Sequence, residues 1–331
     1  MRAGDAQQER GLLQRLAAGP VSGDTLAREA GLTRAAVWKR IDALREAGID
    51  IGASPGRGYA LRQPLDLLDA HAIRAGLPAS VQGGLADLEV AWSLDSTNSE
   101  LLRRDTPAHG CAVLLAERQT GGRGRRGRAW ASPLAAHVYL SLSRRFEGGL
   151  ARLGGLSLVA GVAACDALHG LGFDGVRLKW PNDLVLVDGA GLRKLGGLLV
   201  EGGGETAGAA RAVIGIGLNM RMPARDGAGI DQPWAELSGL SARPLSRNVV
   251  VTALLAHLLP ALDAFDAQGL SPFLSRYAGF DALAGREVAI HDTTSAWHAT
   301  ALGIADDGAL RVRDASGSER RVHAGDVSVR L

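Results

Sequence analysis

The residues most able to do chemistry lie in GGRGRRGR (121–128), four glycines interleaved with four arginines and no acid, followed closely by Trp130. Glycine lets backbone N–H groups approach an anion, and arginine adds forked donors for phosphate or carboxylate, so the run is built to close over something negatively charged. It lies between two apolar, strand-like segments, CAVLLAE (111–117) and HVYLSLS (137–143), which favours a loop anchored at both ends over an RGG-like RNA-binding tail. Three further runs follow: KWPNDLVLV (179–187), KLGGLLVE (194–201) and IGIGLNM (214–220). Of the 37 basic residues only Lys39, Lys179 and Lys194 are lysines, and the chain holds four asparagines. In so arginine-rich a composition, a lysine marks a place that needs a compact ammonium. Two of the three lysines and two of the four asparagines fall in these runs, and a third asparagine ends LDSTN (94–98). Trp180-Pro181-Asn182-Asp183 predicts a turn that presents Asp183, and Lys194 begins the next strand after the Gly-Ala-Gly turn. Gly196, Gly197, Gly215 and Gly217 leave floor space for a ligand between strands.

The elements that must position these residues read as three units, 1–64, 65–280 and 281–331. In the first, residues 9–18 form a helix ended by Gly19-Pro20, Asp24 to Ala30 a second, and Thr33 caps a third running to about Ala47. Val37, Ile41 and Leu44 make the third helix's buried stripe, so Trp38 and Lys39 face outward. A hairpin with a basic tip at Arg57 follows (49–61), completing a winged helix-turn-helix with a net charge of +3 over residues 1–62. Such a unit binds DNA through Thr33, Arg34, Trp38, Lys39 and Arg57. The second unit alternates helical stretches with β-rich runs at 88–93, 111–117, 137–143, 176–187, 195–201 and 211–218, a mixed α/β pattern. A helix over 152–170 is apolar nearly all round, and 247–278 holds one or two more, broken near Gly269 and Pro272. The last unit is a run of short alternating strands, as in a small barrel.

Composition bounds the function. With 46% apolar and 22% charged residues the chain folds as a globular protein, and a net charge of +2 leaves nucleic-acid binding to local surfaces. Two isolated cysteines, Cys111 and Cys165, point to neither a disulfide framework nor a cysteine zinc site, so a reducing, cytoplasmic setting is expected. No metal-ligand cluster, signal core or membrane-spanning run is read in the sequence.

As a set, LDSTN, AERQTGGRGRRGRAWASP, KWPNDL, KLGGLLVE and GIGLNM, with TRAAVWKRIDALREAGIDI and PGRGYAL before them and AGDVSVR after, resemble the bifunctional biotin protein ligases that also repress the biotin operon, the BirA type. The resemblance implies an α/β (α+β) multidomain chain: a winged helix-turn-helix, a catalytic domain like a class II synthetase, and an SH3-like β-barrel. It implies that biotin and ATP, with Mg²⁺, give biotinyl-5′-AMP, and that a lysine of a biotin carboxyl carrier protein takes the biotinyl group. By the same likeness Ser96, Thr97, Asn98, Gln119, Arg123, Gly124, Arg125 and Lys194 hold biotin. Arg125, Arg128, Lys194, Asn219, Trp234 and Arg330 hold the nucleotide. Lys194, Arg128, Lys179 and Asp183 serve the chemistry, Asp183 by helping the acceptor amine lose its proton. Operator DNA is the expected partner of the first unit, bound by a homodimer formed when the adenylate is present. Ala135 and His137 stand where the family commonly has Gly and Asn, His137 reads as structural rather than as a base, and Asp326 replaces a usual Glu. The rival readings are a DNA-binding sensor without catalysis, a lipoate-type ligase, and RNA binding through the arginine loop.

Overall fold

The computed structural model describes residues 3–54, 56–189, 191–204, 209–241, 244–291, 296–324 and 328–330, with backbone alone at 3–5, 204, 224, 225, 328 and 330. In the first unit α1 (Ala3–Ala17), α2 (Gly23–Ala30) and α3 (Arg34–Glu46) enclose Leu13, Leu16, Leu26, Val37, Ile41 and Leu44. Local chemistry sets the boundaries. The Ser22 hydroxyl accepts from the Thr25 N–H at 3.1 Å and Thr33 Oγ1 from the Ala36 N–H at 3.2 Å, while Gly31 ends α2 at φ 64°. Strands β1 (Ile51–Ser54) and β2 (Gly58–Leu61) form the wing, whose Tyr59 pairs with Val21 in the turn before α2.

The central unit contains α4 (Ala70–Gly76), α5 (Ala79–Gln82), β3 (Leu85–Ala91), α6 (Thr97–Arg103), β4 (Cys111–Ala116), β5 (Val138–Phe146), α7 (Leu156–Gly170), β6 (Val176–Lys179), β7 (Asp183–Asp188), β8 (Gly191–Gly204), β9 (Ala210–Leu218), α8 (Ala224–Gly227), α9 (Arg247–Gln268) and α10 (Leu274–Phe280). The β-rich run 176–187 is therefore two antiparallel strands joined at Trp180–Asn182, because Pro181 cannot continue a ladder. Lys194 is the fourth residue of β8 rather than its first. Strand order is β3-β4-β5-β9-β8-β7-β6.

Alternation along β9 decides what each face of the sheet does. Ala212, Ile214, Ile216 and Leu218 enter the main core, while Gly215 and Gly217 face the opposite side. On β5 Val138, Leu140 and Leu142 likewise enter the core, and Ser141 and Ser143 face away. Helices α7 and α9 cover the core face and pack on each other. The helical segment Leu150–Gly170, which ends in α7, and α9 are long and apolar enough to cross a membrane, and that apolar surface is instead used on the sheet, where burying each large side chain contributes about 1.5–3 kcal/mol. Helix α6 covers part of the other face, where its Leu101 packs on Leu114 of β4 and Val213 of β9.

The last unit is an antiparallel sheet of β10 (Glu287–His291), β11 (Ala296–Ile304), β12 (Leu310–Asp314), β13 (Glu319–Val322) and β14 (Ser328–Arg330), ordered β13-β12-β11-β10-β14. The three units touch. Leu134 and Ala135, just after the arginine loop, are buried in the winged-helix core, and the Trp92 indole donates to Glu9 at 2.7 Å. Ala135 holds φ 53°, a left-handed conformation that glycine adopts freely and alanine only with backbone strain. The linker is clamped by a buried ion pair: Arg247 donates to Glu117 at 2.8 Å and to the Asp66 carbonyl, and Glu117 accepts from the Leu68 N–H at 2.7 Å.

Candidate active site

Strand β8 positions its lysine by leaving its neighbour. The β7–β8 ladder shifts register between Leu184 and Val185, pairing them with Gly196 and Lys194, so Leu195 is the extra residue of a bulge. Leu195 then drops into the core at 0% exposure while Lys194 stays on the ligand face. Beyond Gly196 the β9 ladder no longer reaches β8, and residues 233–235 take its place: Lys194 donates to the Pro233 carbonyl and accepts from the Ala235 N–H, both at 2.8 Å. Lys194 and Trp234 are thereby adjacent strand partners. Asn219 pins the junction, its amide donating to Ala235 at 3.1 Å and its backbone N–H to Leu195 at 2.9 Å.

The Lys194 ammonium lies 2.7 Å from Asp183, delivered across the sheet by the turn after β6, and 5.6 Å from the centre of the Trp130 ring. Trp130 covers Gly197 and Gly217: a Cβ on Gly217 would lie 2.6 Å from its Cε2, so only glycine lets the indole down onto the sheet. Its indole N–H, buried, has no hydrogen-bond partner among the described residues. Lys179 stands at the end of β6, paired in register with Asp183. Trp234 packs in the same way on Gly227, where a Cβ would meet its Cζ2 at 2.6 Å.

At the other end of the trench Ser96 caps α6. The Thr97 N–H donates to Gln119 Oε1 at 2.8 Å, and Gln119 reaches Ser132 at 3.4 Å. The arginine loop closes on itself through an Arg123–Ala129 bridge and a Gly124 N–H to Arg128 carbonyl bond of 2.8 Å, forming a flap with Arg126 at φ 58°. Arg125 reaches inward to Asn182 at 3.4 Å and to the Ala324 carbonyl of the last unit, and burial lowers its affinity for its proton. Arg128 is exposed on the flap, and Arg123 is paired with Glu201 at 3.0 Å. The sequence reading assigned Asn98 to the ligand, but both of its amide protons are spent, on Leu199 at 3.1 Å and on Glu201 at 2.9 Å. The side chain of Arg330, and Asp326, lie outside the described residues.

Sequence reading passed over Glu201, the Glu117–Arg247 pair and the packing role of Trp130. The first was visible as the terminal acid of KLGGLLVE, whereas the pair, 130 residues apart, leaves no local pattern. His137 is fully buried and accepts from the Met220 N–H at 3.2 Å. Burial lowers its pKa to about 3, so it sits neutral in the core, behind the site. On α3 and the wing, Trp38 is 58% exposed, Lys39 and Arg57 are exposed, and Arg34 pairs with Asp24 at 3.0 Å.

Residues 90–219 match the model of the Biotin/lipoate A/B protein ligase family, 9–60 that of an HTH domain, and 284–330 that of the Biotin protein ligase C terminal domain. The chain is 41% identical to the bifunctional ligase/repressor BirA of Salmonella typhimurium over 93% of each sequence. The chain belongs to the BirA family of bifunctional ligase/repressors. Another relative of this family member, the biotin–[acetyl-CoA-carboxylase] ligase of Paracoccus denitrificans, is 33% identical over 68% of this chain and 93% of its own. The biotin protein ligase of Aquifex aeolicus, solved with biotin and ATP, superposes with a TM-score of 0.61 at 24% identity, covering 74% of this chain and 99% of that one, and shares the fold.

Proposed function

We infer that this BirA-family chain joins biotin to ATP and passes the biotinyl group to a carrier-protein lysine, and that its first unit carries a biotin-responsive repressor function. The observation that carries the ligase reading is the glycine floor at Gly197 and Gly217, with Lys194 at one side and an arginine flap reaching across it. A flat apolar ring system with a polar head fits over glycine, and a carboxylate meeting a polyphosphate needs cations around it.

In the first step a biotin carboxylate oxygen attacks the α-phosphorus, the bond to pyrophosphate breaks, and the acyl-adenylate forms. Lys194, Arg125 and Arg128 offset the gathered negative charge, with Lys179 beside them. Ser96, Thr97, Gln119 and the backbone of Arg123–Gly124 are placed for biotin's ureido head. Trp130 covers its body, and Trp234 and Asn219 frame the adenine end, where Arg330 would add a contact. In the second step the acceptor amine attacks the acyl carbon and AMP leaves. Asp183 orients that amine and takes its proton once the carboxylate is released from Lys194. Among the described residues no three His, Cys, Asp or Glu side chains gather as a metal cage, so Mg²⁺ would arrive on the nucleotide's own phosphates.

We place the domain divisions at 64/65 and 280/281. The acceptor is a biotin carboxyl carrier domain, the setting is cytoplasmic, and an adenylate-dependent homodimer would present two α3 helices to a two-part operator. Incubating the protein with a carrier domain, ATP and either biotin or lipoate tests the reading. It expects label from biotin alone, lost in Lys194→Ala. Label from lipoate, or wild-type labelling by the variant, contradicts it.

A further inference from the structure

Glu201 sits on the ligand face of β8 with its side chain 23% exposed, and it joins three elements. Its Oε2 accepts from the Asn98 amide at 2.9 Å, and its Oε1 lies 3.0 Å from the guanidinium of Arg123, which also donates to Ser99 at 3.1 Å. Asn98 is 4% exposed, its second amide proton is on Leu199, and its Oδ1 accepts from Ser141 at 2.6 Å. Its seat exists only because position 215 is glycine, where a Cβ would lie 2.2 Å from Oδ1. So Asn98 has spent both donors, and the charge of Arg123 is already compensated.

The place of this pair in the chain gives it a consequence. Arg123 and Ala129 form the bridge at which the flap folds back on itself, and Asn98 and Ser99 follow directly on Ser96 and Thr97 in the first turn of α6. We propose that Glu201 is a positioning residue. It latches the base of the flap to the N-terminal turn of α6, so that Arg125 and Arg128 hinge from a fixed point and the acyl-adenylate is retained rather than lost to water. This rests on the ligase reading above. A base left unlatched would widen the flap's excursions without removing a ligand contact, so binding and retention suffer while the chemical step does not. Arg123 is 40% exposed, so breaking the pair leaves the sheet folded.

The test compares wild type with Glu201→Gln, which keeps an acceptor for Asn98 but removes the charge, with Arg123→Met, and with the double variant. Four quantities are read: release of biotinyl-5′-AMP without acceptor, KM and kcat for biotin in pyrophosphate exchange, trypsin cleavage at Arg125, Arg126 and Arg128 without ligand, and melting temperature. Each single variant is expected to raise release, KM and cleavage by about fivefold, the effect of one half-exposed pair, and in Glu201→Gln kcat and melting temperature stay nearly unchanged. The double variant is expected to go no further than either single one. Wild-type release and cleavage in Glu201→Gln, or single effects that multiply in the double variant, overturn the latch. If wild type makes no adenylate from biotin and ATP, the ligase reading fails, and the trypsin comparison still decides the latch.

Discussion

Replacing His137 by Asn should flatten the acid side of the protein's stability profile. The ring is fully buried, with Arg247 donating to its own carbonyl at 3.2 Å, Arg221 nearby and the Tyr139 ring edge-on at 6.0 Å. Burial, then the charge of Arg247, holds its pKa at about 3 against a usual 6.5. The folded value is depressed, so below pH 6.5 the unfolded chain binds a proton that the folded chain refuses until about pH 3. The contribution is whole above pH 6.5 and is lost as pH falls. Between pH 7 and pH 5 the linkage amounts to about 2 kcal/mol, or about 4–8 °C in the midpoint of the central unit. Asparagine keeps an acceptor for the Met220 N–H and does not titrate, so His137→Asn should lose less stability over that interval by this amount. Urea unfolding at pH 7, 6 and 5 measures it. Equal pH slopes in the two proteins would refute the buried, neutral ring.

Gly217→Ala pushes a methyl to 2.6 Å from Trp130, and the indole must rise to ordinary contact; overpacking of about 1–3 kcal/mol should raise KM for biotin about tenfold, read by pyrophosphate exchange. An unchanged KM would place the ligand elsewhere. Arg247→Leu leaves Glu117 buried without its cation and should cost about 3–5 kcal/mol, with Glu117→Gln in the same chain recovering part of it by denaturant titration. A cost below about 1 kcal/mol would mean that water reaches Glu117. Lys39→Ala should weaken operator binding and reduce the slope of log affinity against log salt by about one. An unchanged slope would take α3 out of the groove.

Much of this architecture is legible in the sequence because its signals are local. Thr33 caps a helix three residues on, Pro181 forces a turn, and IGIGLN alternates core isoleucines with floor glycines, the period-two pattern of a strand with one bare face. The register bulge at Leu195 is not legible, since LysLeuGlyGly reads as plain alternation until Trp234 is found pairing with Lys194. Nor does composition tell which arginine of the motif is tied to an acid. Arg123 and Arg125 are two residues apart in one motif, and only the fold shows the first tied to Glu201 while the second reaches Asn182. The Glu117–Arg247 clamp joins distant segments whose pairing no periodicity announces.

A crystal structure with biotinyl-5′-AMP bound tests the central claim most directly. The account predicts the acyl-phosphate within about 3.5 Å of Lys194, with Arg125 and Arg128 folded onto it and biotin's rings lying between Trp130 and the floor at Gly197 and Gly217. An adenylate bound elsewhere, or one that left all three cations pointing into solvent, would contradict it.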